Sequence, residues 1–466
     1  MYKEIIATLD IGSSKITIAG GKKDSNGMVS IAAIEKESTN SSVRRGRIYN
    51  VSDISNKIQL LSDRLNEKLN DKIAKIYVGV NGQSLRTETY FVSRQIGGAV
   101  VDEQLLASLR EQCEAYQPDE ISEVLDVVSL EYFLDGKPEK NPIGVSCDKI
   151  EVRYQLILGN HSIKLNLINC VTKNSEIEIA GYFIGPIATA TAVLSDSEKN
   201  LGCALIEFGA DITYLSVYKA GLLKYLISIP LGGNAITKDI CDLKILEEEA
   251  ENLKITYGTA LVELEDENNP VKNIKLQNSS IKEIDAEQLN DVIEARTDEI
   301  IANIKNLLEI NNLSDCLENG IIITGGMAAL KNLDKSIEKK LNKKVRVAHV
   351  KRELLDEDSL TFGKIFGNEA TIGLLSLGTK NCVKENIVNP PQGQSSLFSP
   401  DEILVVDPPK KERGKRKPPV EIEEEKEEIG LFGKITKKIA SNLNKVSKDV
   451  LGSADATEEK EEEEGK

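Results

Sequence analysis

The sequence predicts an α/β protein built on a duplicated unit of three strands and a helix. Three observations lead there. Near the N-terminus EIIATLD, KITIAGG and VSIAAIE are apolar runs separated by short turns, and a helical pattern follows. The same order returns in LGCALIEFG (201–209), ITYLSVYKAG and LLKYLISIPLGG. Asp10-Ile11-Gly12 closes the first strand of one set and Glu207-Phe208-Gly209 that of the other, so Asp10 and Glu207 stand 197 positions apart. Self-similarity on that scale is the signature of internal duplication.

The elements follow in order. Ser25-Asn26-Gly27 reads as a hairpin turn, because Asn-Gly tolerates positive φ. Ile54, Ile58, Leu61, Leu65 and Leu69 recur at helical spacing, with Ser52 placed to cap the start. KIYVGV (75–80) is a buried strand. Residues 83–170 read as a small α+β insertion, with a helix over Glu103–Ala115 and strands in VLDVVSLEYFL, KIEVRYQLILG and SIKLNLINC. Residues 237–315 are mostly helical in pattern, and NGIIITGGMAALKNL (319–333) is a strand, two glycines and a helix. Globular character ends near Thr379. Beyond it, Pro390, Pro391, Pro400, Pro408, Pro409, Pro418 and Pro419 alternate with KKERGKRK and EIEEEKEE, which predicts a disordered linker. EEKEEEEGK at the end reads as a solvated acidic tail.

Composition narrows the function. The 466 residues carry a formal net charge of -16, which argues against broad nucleic-acid binding, since phosphate neutralisation needs a basic surface. Cys113, Cys147, Cys170, Cys203, Cys241, Cys316 and Cys382 are scattered without CxxC spacing, so neither a zinc site nor a disulfide framework is expected, and a reducing cytoplasm is. His161 and His349 have no metal-ligand neighbours at helical spacing. The N-terminus turns acidic and alternating at once, unlike a signal peptide, and no run is long enough to span a bilayer.

Three loops suit a phosphate ligand. In the first, Gly12 lets a ligand approach the main chain, Ser13, Ser14 and Lys15 add donors and a charge, and Asp10 can hold a hydrated Mg²⁺. Alone this motif is a weak signal and reads more readily as a plain hairpin. A second hairpin from the duplicated half can clamp a phosphate chain from the other side. The third loop, Thr324-Gly325-Gly326-Met327, offers a flat backbone for a ring and a helix N-terminus for an anion. All three in this order favour a nucleotide. Glu251 and Lys254 share a helix face at i, i+3, and spacing alone favours a surface ion pair over a ribose contact.

Near the end, GLFGKITKKIASNLNKV places Leu431, Phe432, Ile435, Ile439, Leu443 and Val446 on one helix face, with Lys434, Lys437, Lys438 and Lys445 on the others. A cationic amphipathic helix of this kind suits the interface of a membrane with anionic lipid. The bland reading is docking on its own domain or on a partner, against which the long charged linker argues.

The ordered set LDIGSSKI, VGVNGQ, IGPIATATAVL, ALIEFGADITYLSVYKAGLLKY, IPLGGNAITKDI, AENLKITYG and IIITGGMAALKNL resembles the FtsA family of bacterial cell-division proteins, in the actin superfamily, over about residues 3–380. The resemblance implies an actin-like two-lobed ATP-binding fold. Subdomain 1A would be 1–82, completed by 171–200 and about 360–380. An inserted 1C domain would be 83–170, subdomain 2A 201–236 with 316–359, and subdomain 2B 237–315. The linker would be 381–428, the membrane-targeting helix 429–451 and the tail 452–466. By the family pattern Asp10, Gly12, Ser13, Ser14 and Lys15 match the first phosphate loop, and Glu207, Gly209, Ala210 and Asp211 fall on the second. Gly232, Gly233 and Asn234 would close the cleft floor. Glu251 and Lys254 would hold the ribose, reversing the reading from spacing, and Gly325, Gly326 and Met327 the adenosine.

The second loop departs from the pattern, with Glu207 for the usual Asp and Ala210-Asp211-Ile212 for small and hydroxyl residues. Asp211 would repel the phosphates unless Mg²⁺ intervenes. ATP binding with at most slow hydrolysis is the expectation, with Glu207 the candidate for positioning Mg²⁺ or water. The resemblance implies a septal scaffold on the inner face of the cell membrane. It would bind the FtsZ C-terminal peptide through 237–315, self-associate into filaments, and touch anionic lipid through the terminal helix. A pilus-type adaptor and a small-molecule kinase of the same superfamily are the alternatives.

Overall fold

The computed structural model describes residues 4–173, 176–262, 273–276, 279 and 282–384. The predicted linker from residue 385 onward, the amphipathic helix and the acidic tail lie outside the described residues.

The first half opens as the alternation demands. β1 (Ile6–Ile11), β2 (Lys15–Lys23) and β3 (Val29–Ser38) form an antiparallel meander. The turn between β2 and β3 is locked by Asp24, whose Oδ1 accepts the Asn26 and Met28 N–H groups, and Gly27 takes φ +86°. β4 (Val43–Arg44) and β5 (Arg47–Ile48) form a short hairpin. The helix Val51–Leu69 buries Ile54, Ile58, Leu61, Leu65 and Leu69 on one face, the predicted stripe. Its cap is Asn50, whose side chain accepts Asp53 N–H at 3.0 Å. Ser52 instead accepts the Lys173 ammonium at 2.7 Å. β6 (Lys75–Val80) then lies parallel beside β1.

The insertion is β7 (Arg86–Gln95), a helix over Glu103–Glu114, β8 (Ser122–Leu134), β9 (Lys137–Glu139) and β10 (Lys149–Asn160). SIKLNLINC, expected as a strand, is a helix, Ser162–Thr172. Its alternation is incidental: Leu167, Cys170 and Val171 are the buried positions, at i, i+3 and i+4, and they join the core of the first half. β11 (Glu178–Ile184) completes the first sheet in the order β11-β6-β1-β2-β3.

The second half repeats this plan. β12 (Cys203–Phe208), β13 (Thr213–Lys219) and β14 (Leu222–Ile229) form the meander. Helices Gly233–Cys241, Glu247–Tyr257 and Ala286–Ile310 follow, with a small unpredicted hairpin of β15 (Asn273–Lys275) and β16 (Glu283–Asp285). β17 (Ile321–Thr324) and β18 (Val345–Val347) add in parallel, giving β18-β17-β12-β13-β14, the topology of the first sheet. The insertion extends this second sheet through the pairing of Ile227 with Arg86. The insertion and the second half each have an apolar cluster, and a third, centred on the first half, continues into the second through Leu205, Tyr214 and Leu226. Burying each such aliphatic side chain contributes about 1.5–3 kcal/mol.

Two helices run between the sheets toward one end. Gly185–Val193 and Glu369–Leu377 pack so closely that a Cβ on Gly373 would overlap the Ala188 carbonyl. That contact brings the N-terminus of the second helix, Glu369, to the mouth between the halves.

Candidate nucleotide cleft

A cavity of about 400 Å³ opens between the halves, within the range of small-molecule sites. Its walls are the two equivalent hairpins. Gly12 N–H donates to Lys15 O at 2.9 Å, and Gly209 N–H donates to Ile212 O at 2.9 Å, the same turn 197 residues on. Ser13, Ser14 and Lys15 therefore correspond to Ala210, Asp211 and Ile212, and the second turn has lost the hydroxyls and the charge of the first.

The cavity is lined by Asp10, Gly12, Ser13, Ser14 and Lys15 from one side, and by Glu207, Gly209 and Ala210 from the other. Gly233, Asn234, Glu251, Lys254, Gly325, Gly326 and Met327 also line it. Gly232 stands just behind the wall, where a Cβ would sit 2.6 Å from the carbonyl oxygens of Gly209 and Ala210. Asn234 N–H donates to Ala210 O at 2.7 Å, which pins this floor to the second hairpin. Asp211 does not line the cavity. Its Oδ1 accepts from Asn234 Nδ2 and its Oδ2 from Arg45 N–H, each at 2.8 Å.

Lys254 is 8% exposed, so it is not half of a surface ion pair. Its ammonium donates to Glu251 Oε2 at 2.6 Å, Thr237 Oγ1 at 2.8 Å and Gly233 O at 3.0 Å. Gly325 enters the third loop at φ +92°, and a side chain there would overlap the Phe208 carbonyl, so the chain reaches the cavity only with glycine at this point.

Sequence reasoning missed Asn81, Tyr214, Thr237, Gly46 and Glu369. Asn81 Nδ2 donates to Asp10 Oδ1 at 2.7 Å, and it sits in VGVNGQ, which offered a signal. Glu369 is 3% exposed and accepts Gly367 N–H at 2.7 Å, facing the Lys15 side of the cavity. At the start of an apolar helix it reads as an ordinary N-terminal acid.

Three carboxyls thus converge on one end. Burial pushes Asp10 up, against the Asn81 hydrogen bond and the Lys15 charge. Burial pushes Glu207 to about 8, a nearby Thr189 hydroxyl opposes it, and the Asp10 and Glu369 charges add to it. Burial raises Glu369 as well. Glu207 Oε2 is buried with no hydrogen-bond partner. Lys36, beside Lys15, is lowered to about 8 by burial and by that second ammonium, and its Nζ donates to Asn368 Oδ1.

Two lobes of matching topology, clasping one cleft with equivalent glycine hairpins, define an actin-like protein. The comparisons agree and go further. The family model "Cell division protein FtsA" matches residues 204–362, and that for the SHS2 domain inserted in FtsA matches 82–158, the insertion. A cell division protein FtsA from Porphyromonas gingivalis is 31% identical over 404 residues, covering 86% of this chain and 83% of that protein. One from Bacillus subtilis is 29% identical over 360 residues, covering 74% and 78%. Among solved structures, the PilM-PilN type IV pilus biogenesis complex aligns with a TM-score of 0.57 at 14% identity, over 81% of this chain and 98% of that one. The chain belongs to the FtsA family of cell-division proteins.

Proposed function

We propose that the chain binds ATP with Mg²⁺ in the cleft and acts as a membrane-tethered scaffold for FtsZ polymers at the division septum. One observation carries the nucleotide reading: two hairpins with the same Gly N–H turn face one cavity, closed by a Gly-Gly loop, as a phosphate chain and a ring require. Lys15 would meet the phosphates, and Glu251 the ribose.

Mg²⁺ fits as an ion held mainly by phosphates and water. Among the described residues no group of three His, Cys, Asp or Glu is placed to bind a metal directly. Mg²⁺ keeps several waters, and Asp10 and the unpartnered Glu207 Oε2 are suited to receive them. When bound, the ion would neutralise charge on the phosphates. The second hairpin, Ala210-Asp211-Ile212, lacks the hydroxyls and the cation of the first, which supports slow turnover.

The tether would be 429–451, with Leu431, Phe432, Ile435, Ile439, Leu443 and Val446 in the acyl boundary and Lys434 and Lys438 at anionic headgroups. The 237–315 region would face FtsZ, and filaments would form by self-association. Family membership supports these roles. Among the described residues no helix is long and apolar enough to cross a membrane.

Calorimetric titration with Mg-ATP tests the cleft, and absence of binding refutes it. Multiple turnovers per second would sink the slow-hydrolysis reading. Co-sedimentation with anionic vesicles tests the tether. The full chain should bind, whereas a truncation after Glu428 and a Phe432→Asp/Ile435→Asp variant should not. Equal partitioning of all three would remove the tether.

A further inference from the structure

The lobes meet through contacts of two kinds. Some are buried. Gly82 N–H donates to Tyr214 Oη at 2.9 Å, and Ser228 N–H donates to Leu85 O at 2.9 Å, beside the strand pairing at Ile227 and Arg86. One lies at the exposed rim, where Asp211 of the second hairpin accepts the backbone N–H of Arg45 from the β4–β5 hairpin.

Both partners are held in place. The other Asp211 oxygen is bonded to Asn234 of its own lobe. Arg45 (φ +48°) and Gly46 (φ +68°) form a two-residue turn with positive φ at both positions, the geometry such hairpins favour. Gly46 N–H donates to Ser13 Oγ at 3.1 Å, which ties the turn to the first phosphate hairpin. Ile212 closes the space above it, leaving only 2.9 Å between its Cδ1 and a Cβ placed on Gly46.

We propose that Asp211 is a clasp across the cleft mouth, and that its bond to Arg45 N–H sets how fast a bound nucleotide leaves. The inference rests on the nucleotide reading above. It also accounts for the carboxylate where the first hairpin has Ser14: the charge faces a backbone donor of the opposite lobe, away from the phosphates. The buried contacts serve as the hinge. An exposed bond exchanges with water at small cost, so it can break and re-form while the hinge stays intact.

The test uses the full chain and three variants. Release of a fluorescent ATP analogue, chased with excess ATP and Mg²⁺, is followed by stopped flow. Amide hydrogen exchange across 43–48 is measured without nucleotide. Asp211→Ala should release about two- to fivefold faster and expose the Arg45 amide. Asp211→Asn keeps an acceptor and should fall between. Arg45→Asn keeps the N–H and tolerates positive φ, so release should stay at the parent rate. Thermal unfolding identical to the parent excludes a folding defect. Unchanged exchange at 43–48 in Asp211→Ala overturns the clasp, and so does unchanged release. A parent chain that binds no nucleotide counts against the nucleotide reading, and exchange at 43–48 then decides the clasp alone.

Discussion

Lys254 Nζ donates to Glu251 Oε2 at 2.6 Å, and its other two protons are engaged by Thr237 Oγ1 and Gly233 O. An ammonium has three donors, so none is left for a ligand. Lys254 positions Glu251, and the carboxylate's remaining oxygen is the group that would meet a ribose hydroxyl. Lys254→Met should cost about 1–3 kcal/mol of stability, because the Thr237 hydroxyl left behind has one proton for two acceptors, Gly233 O and Glu251 Oε2, and it should weaken nucleotide binding. Urea midpoints and calorimetric titration check this. Undiminished affinity would show that Glu251 needs no such support.

Glu207 gives the fold a pH dependence. Its carboxyl is raised to about 8 in the folded chain, against 4.5 for an ordinary glutamate. Between those values the folded state holds a proton that the unfolded state has lost. Stability is therefore fully present below about pH 4.5 and falls as pH rises through 8. One proton corresponds to at most about 1.4 kcal/mol per pH unit. Asp10 and Glu369 are raised too and steepen the same fall. Glu207→Gln should flatten the decline and be the more stable protein at pH 8.5. Thermal midpoints from pH 5 to 9 read this directly, and parallel curves for the two proteins would contradict it.

Much of this was legible in residues, and what was not has physical reasons. The strand meanders and the offset from Asp10 to Glu207 were visible because β alternation is a strong local pattern. The Ser162–Thr172 helix was not, since a short apolar run fits either period until it meets the core. The first and third loops of the cleft came from loop chemistry that glycine spells out, whereas Gly232, Gly233, Asn234, Glu251 and Lys254 came from the family resemblance. Glu369 and Thr237 lay hidden because their role comes from tertiary placement: one depends on the close crossing at Gly373, the other on a lysine a full helix away. Asp211 was visible, but its direction was not, because nothing local says that Arg45 waits across the cleft.

Arg346 ties the edge strand β18 to the segment that joins the lobes. Its Nε and Nη2 meet the two Glu198 oxygens at 2.7 and 2.9 Å, and Nη2 also donates to Val193 O at 3.1 Å. Glu198 in turn closes a capping box with Ser195. A lysine cannot form the two-pronged contact. Arg346→Lys should cost about 1 kcal/mol, given the partial exposure, while Glu198→Ala should cost more because the Ser195 N–H loses its acceptor as well. Equal midpoints for the two variants would show that this return bond of the capping box contributes nothing.

Gly325 decides whether the third loop can exist. It follows β17, whose Thr324 is paired with Glu207, so the chain must turn at the point where it passes the neighbouring strand. It does so at φ +92°, with the Phe208 backbone directly against it. A methyl group meets two costs there: the conformation is one that alanine avoids, and the overlapping atoms belong to a strand that cannot give way. Gly325→Ala should therefore lower stability by about 2 kcal/mol or more and displace Gly326 and Met327, so nucleotide affinity should fall further than stability does. Gly326→Ala is the control, since nothing lies within 4 Å of a Cβ at that position. It should fold like the parent, and any loss of nucleotide binding in it would report the ring's approach to the backbone alone. If Gly325→Ala kept full affinity, the Gly-Gly loop would not be a wall of the nucleotide site.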